Sequence, residues 1–137
     1  MALSPADKLE IHELGTRVYY GTDTEDAALF ASYFSDDGVF VAPYGEFKGP
    51  KAIEEFMIKH IAGGKEDGVK HFLTNIAIDE HPEGARFRFY ILKMNVATGP
   101  TNIATASGDC IVKKTGAGWR FKKFQLSIDP AMFANKK

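Results

Sequence analysis

The chain has 137 residues, of which 45% are hydrophobic and 26% charged, with a formal net charge of -1. That length supports one well-filled core but not two, and the near-neutral balance lacks the clustered basic face that nucleic acid requires. A single cysteine, Cys110, excludes an intrachain disulfide and a cysteine-ligated zinc, and no apolar run approaches the roughly 18 residues of a membrane span.

The start, MALSPADKLE, has neither the basic head nor the apolar run of a secretory leader. The expectation is a cytoplasmic protein with one domain over residues 1–137. Ser4-Pro5-Ala6-Asp7 reads as a helix N-cap, a proline at the first helical position and an acid in the first turn. Ile11, Leu14, Gly15 and Val18 continue with the spacing of a buried helical stripe, and Gly21 is the expected stop. Ala27, Phe30, Ala31 and Phe34 form the stripe of a second short helix, ended by a turn at Asp36-Asp37-Gly38.

Val39 to Val41 reads as a strand, with Pro43-Tyr44-Gly45 the turn of a hairpin. Gly49-Pro50 opens a third helix with the stripe Ile53, Phe56, Met57 and Ile61, closed by the polar loop GGKEDG. Four strands follow, at about Val69–Asp79, Ala85–Val96, Asn102–Lys113 and Trp119–Ile128, separated by HPEG, TGPT and TGAG turns. In the last strand Trp119 and Phe121 share one parity while Phe124, Leu126 and Ile128 take the other, which predicts a bulge at the intervening lysines. Long, bendable strands beside three helices in the N-terminal half imply an α+β fold: a cone-shaped, curved sheet wrapped around the helices. The wide end of such a cone leaves a pocket suited to a small apolar or cyclic molecule.

Several polar residues are candidates for that pocket. His71 stands at the head of the strand VKHFLTN and shares its face with Leu73, Asn75 and Ala77. It is either a hydrogen-bonded core histidine or a site residue. Asp23 lies between the first two helices, where it either caps the second helix or turns inward, with Thr24 free to cap instead. Asn95 ends the face carrying Phe87, Phe89, Ile91 and Lys93, and is either a strand-end hydrogen bonder or a polar group in an apolar pocket. Tyr44 in the hairpin turn and Tyr20 beside Asp23 are further substrate-binding candidates, with Tyr20 preferred over Tyr19. Asp109, in the middle of a strand, is either outward-facing or functional. His60 reads as the edge of the third helix's stripe. The four histidines show no metal-site spacing, and GxGxxG, P-loop and GxSxG patterns are absent, so neither a metal nor a cofactor is expected.

The order of these features, with DTEDAALFASYFSDDGVF, GEFKGPKAIEEF, KHFLTN and the final GWRFKKF, resembles the SnoaL-like members of the nuclear transport factor two-like superfamily. The resemblance covers nearly the whole chain and implies a cystatin-like roll. Its dehydratase-type branch pairs an aspartate between the first two helices with a histidine at the start of the third strand. Asp23 and His71 stand at those places, while a second histidine of that branch falls near Asn95, where this chain has none. Asp109 is similar in position to the late-strand acid of the isomerase and cyclase branches.

The resemblance therefore implies a lyase or isomerase in which an Asp23–His71 dyad removes a proton beside a carbonyl, without a cofactor. Tyr20, Tyr44, Asn95, Phe89 and Asp109 are the expected substrate-binding set. The outer sheet face needs cover, so a homodimer is expected. The competing expectation is a non-catalytic ligand-binding or dimerisation domain of the same fold.

Overall fold

The computed structural model describes residues 2–130. Three helices and six strands follow in the order α1 (Pro5–Asp23), α2 (Ala27–Ser32), β1 (Phe34–Ala42), β2 (Gly45–Lys48), α3 (Pro50–Ala62), β3 (Val69–His81), β4 (Gly84–Asn95), β5 (Thr101–Thr115) and β6 (Gly118–Ile128). The strands form one curled, unclosed mixed sheet in the order β2-β1-β6-β5-β4-β3. Only β1 and β6 run parallel; the other neighbours are antiparallel. The expected α+β class and the sheet curved around three helices are both present.

Local chemistry sets the helix starts. Ser4 Oγ accepts the Asp7 backbone N–H and the Asp7 carboxylate accepts that of Ser4, a reciprocal cap on α1. Ile11, Leu14 and Val18 are then buried against the sheet. The start of β6 is tied to the same helix, because the Trp119 backbone N–H donates to Glu10 and its indole N–H to Asp7. Inside, Phe87, Phe89, Phe121 and Phe124 are almost fully buried, and the pairs Phe87–Phe89, Phe89–Phe124 and Phe121–Phe124 meet tilted or edge to face at 4.9–5.7 Å.

The last strand bulges where its parity changes: Val112 pairs with Phe121 but Ile111 pairs with Lys123, leaving Lys122 as the extra residue. Two expectations are corrected. The second helix ends at Ser32, and Phe34 and Asp36-Asp37-Gly38 belong to β1 rather than to a helix and its turn. Gly38 permits this, since a Cβ there would lie 2.8 Å from Ser35 O and 2.9 Å from Phe121 O, so the strand can press onto β6 despite its turn-like composition. The alternation assumed for VKHFLTN also breaks. Asn75 takes a positive φ of 55° and the β3–β4 register slips between Thr74 and Ala77, so Ile76 and Ile78 rejoin Leu73 on the core side.

Candidate functional site

α1 runs two residues past Gly21, the expected stop, because α2 packs directly on that glycine: a Cβ there would lie 2.7 Å from Phe30 N. The cap of α2 is neither Asp23 nor Thr24 but Asp26, whose Oδ1 accepts the Leu29 N–H at 2.9 Å. Asp23 is thereby released as the last residue of α1. Its Oδ1 lies 2.6 Å from His71 Nδ1, and its Oδ2 accepts the His71 backbone N–H at 3.1 Å. A carboxylate has no proton to donate, so the short contact places a proton on Nδ1, and in the neutral ring Nε2 is the nitrogen with the lone pair. Both side chains are largely shielded, at 7% and 15% exposure for His71 and Asp23.

His71 lines a cavity of about 70 Å³. Its apolar wall includes Phe30, Phe40, Met57, Ile91 and Leu126. Tyr19 covers the imidazole, with ring centroids 4.7 Å apart. Burial, and then the nearby charges of Glu66 and Asp23, push the Tyr19 phenol well above its ordinary value, so it keeps its proton. Tyr44 lines the same space, stacked on Phe56, and burial with the charge of Glu66 raises its phenol as well.

On the other side of His71 stands a residue that sequence reasoning did not single out. Glu66, in the loop between α3 and β3, is 4% exposed. Its Oε1 accepts from His60 Nε2 at 2.7 Å and from Lys93 Nζ at 3.3 Å, while its Oε2 lies 3.8 Å from His71 Nε2. Burial alone would raise the Glu66 carboxyl. The His60 hydrogen bond and the charge of Lys93, joined by that of His71 whenever its ring is protonated, outweigh it and hold the group below its ordinary value. Glu66 Oε2 and Thr22 Oγ1, both in residues lining the cavity, find no hydrogen-bond partner among the described residues.

Of the expected binding set, Tyr44 alone reaches the cavity, and four positions are corrected. Tyr20 is 59% exposed; Tyr19 takes the inner place, because it lies one turn beyond Gly15 on the buried side of α1. Asn95 turns away: its Oδ1 accepts the backbone N–H groups of Ala97 and Thr98 and closes the β4–β5 turn. The β4 residue that does reach the site is Lys93, directly opposite His71 in the sheet. Phe89 is buried behind the cavity wall against Tyr19, Phe87 and Phe124. Asp109 faces outward in a two-pronged pair with Arg86, whose Nε and Nη2 donate at 3.0 and 2.7 Å, and that pairing lowers the carboxyl. His60, expected at the edge of its helix, instead joins the site through Glu66. Among the described residues no group of three or more His, Cys, Asp or Glu is arranged to hold a metal, and no helix is long and apolar enough to cross a membrane.

Solved structures carry the same fold. A cystatin-like protein of unknown function from Nostoc punctiforme is 24% identical, with 96% of this chain and 98% of that one covered at a TM-score of 0.86. Aln2 from a Streptomyces species is 21% identical over 95% and 96% of the two chains, with a TM-score of 0.81. A Novosphingobium aromaticivorans protein provisionally named a scytalone dehydratase is 22% identical over 90% and 85%, with a TM-score of 0.76. No curated protein sequence matches. The SnoaL-like domain family matches residues 4–125, nearly the whole described chain, and the protein belongs to that family.

Proposed function

We propose that this is a single-domain, cofactor-independent lyase or isomerase acting on a cyclic, carbonyl-bearing molecule of polyketide type. The reading rests on the Asp23–His71 contact of 2.6 Å at the wall of a mostly apolar cavity. His71 Nε2 takes a proton from a carbon next to a carbonyl; the C–H electron pair forms the enolate and the carbonyl π pair moves to oxygen. Asp23 holds the ring and stabilises the imidazolium as it forms. Tyr19 and Tyr44, both phenols that keep their protons, are the donors for the developing oxyanion. The imidazolium then returns its proton, to another carbon in an isomerisation or to a departing hydroxyl in a dehydration. The solved structure provisionally named a scytalone dehydratase supports the substrate class.

The test is exchange of the α-protons of cyclic ketones and hydroxy-ketones in D₂O, followed by NMR. Wild type should accelerate exchange of at least one compound, and His71→Ala, folded by circular dichroism, should lose about 10²–10⁴-fold of that rate. Equal rates in the two proteins would leave a ligand-binding domain without chemistry. We further propose a homodimer through the outer sheet face, where Phe72 and Tyr90 are 45% and 59% exposed. Sedimentation equilibrium would show a monomer if that is wrong.

A further inference from the structure

The two oxygens of Glu66 have unequal surroundings. Oε1 receives His60 and Lys93, whereas the buried Oε2 receives no hydrogen bond from the described residues and lies 3.8 Å from His71 Nε2, both residues lining the cavity. A charged, buried carboxylate oxygen without a donor is costly. The chain nevertheless commits a histidine and a lysine to holding this carboxylate in place. We propose that Glu66 Oε2 is a ligand-recognition atom that accepts a hydrogen bond from a hydroxyl on the bound molecule, so the cavity selects hydroxylated rings over their deoxygenated counterparts.

Three observations define the class of ligand. The charge on Glu66 is already balanced by Lys93 at 3.3 Å, so a neutral donor suits Oε2 better than a second cation. An anionic ligand would meet the charge of Glu66 in the cavity wall. The cavity of about 70 Å³ is several times the roughly 10–15 Å³ needed to hold a single water, which suits a compact ring rather than a long chain. A hydroxyl anchored at Oε2 also sets position. Nε2 of His71 is only 3.8 Å from that oxygen, so the hydroxyl-bearing carbon and its neighbours lie beside the imidazole. Thr22 Oγ1, the other unpartnered polar atom, can serve a second polar group on the same ligand.

The inference rests on the cavity being the ligand site, as proposed above, but not on His71 acting as a base. Its test is therefore binding rather than turnover. p-Cresol and p-xylene differ by a hydroxyl in place of a methyl, and their affinities are compared by calorimetric titration. Wild type should prefer p-cresol, and in Glu66→Gln that preference should fall by about tenfold, the difference between an ionised and a neutral acceptor. In His71→Ala the preference should persist even if proton exchange is lost. A crystal structure of the wild type with p-cresol keeps the test independent of how well Glu66→Gln folds: its hydroxyl oxygen should lie within about 3.2 Å of Oε2. An equal preference in wild type and Glu66→Gln, no binding of either compound, or a hydroxyl placed elsewhere would each overturn the assignment.

Discussion

Replacing Asp23 with asparagine tests the site at its tightest contact. The carboxylate accepts two bonds from one residue, the ring N–H at 2.6 Å and the backbone N–H at 3.1 Å. An asparagine has one acceptor oxygen and one NH₂ group. If the oxygen stays with the backbone N–H, the NH₂ faces Nδ1, and the ring must release its Nδ1 proton and carry it on Nε2. Two charge-assisted bonds, worth about 1.5–3 kcal/mol each, become two neutral ones at about 0.5–1.5 kcal/mol, a loss of about 2–3 kcal/mol. Urea unfolding should show that loss as a shifted midpoint with an unchanged slope. In the folded variant, ¹⁵N shifts of the His71 ring should report a proton moved from Nδ1 to Nε2, with the α-proton exchange of wild type lost. A variant within about 0.5 kcal/mol of wild type, with His71 still protonated on Nδ1, would show that Asp23 neither holds nor orients the ring.

Two further tests address the scaffold. Gly108→Ala would put a Cβ 2.4 Å from Phe89 Cζ, against a ring that is 1% exposed, and overpacking of this kind should cost roughly 1–3 kcal/mol in urea unfolding. No measurable cost would show that Phe89 has slack toward the cavity. Asp37 is lowered to about 2 by its hydrogen bonds with Lys113 and Ser35, so its stabilisation is complete above its ordinary 3.8 and disappears as pH falls toward 2. Asp37→Asn should therefore be less stable than wild type at pH 6, with the gap closing between pH 4 and pH 2; a gap independent of pH would refute the pairing.

Where a residue's role is set by its near neighbours, the sequence was enough to read it. The Ser4 cap, the α1 stripe and the Gly49-Pro50 start of α3 are all local, and each stands in the structure. The β6 bulge was legible because Phe121 and Phe124 break parity across two lysines. The same signal in β3, Leu73 against Ile76 and Ile78, is masked in the sequence because strict alternation through VKHFLTN places Asn75 on the His71 face and leaves no sign of a bulge. Asp23 and His71 could be paired from sequence only through resemblance, since 48 residues separate them. Glu66 was opaque for a physical reason. It sits in GGKEDG, a run that reads as solvated loop, yet it turns inward between His60 and His71, its near neighbours in the chain, toward Lys93, which only the β3–β4 pairing brings close. Tyr19 was recoverable, because Gly15 to Tyr19 to Asp23 follows a single turn spacing on one side of α1.

The loop that carries Glu66 gives the protein a division of labour with evolutionary weight. Asp23 ends a helix, and His71 and Lys93 face each other across a paired β-ladder, so their spacing is locked by backbone hydrogen bonding. Glu66 hangs on a short connection flanked by Gly64 and Gly68, both with positive φ. Insertions and substitutions are tolerated at such connections and resisted in ladders. A change at a few positions of this loop would therefore alter the wall of the cavity while leaving the Asp23–His71 contact intact.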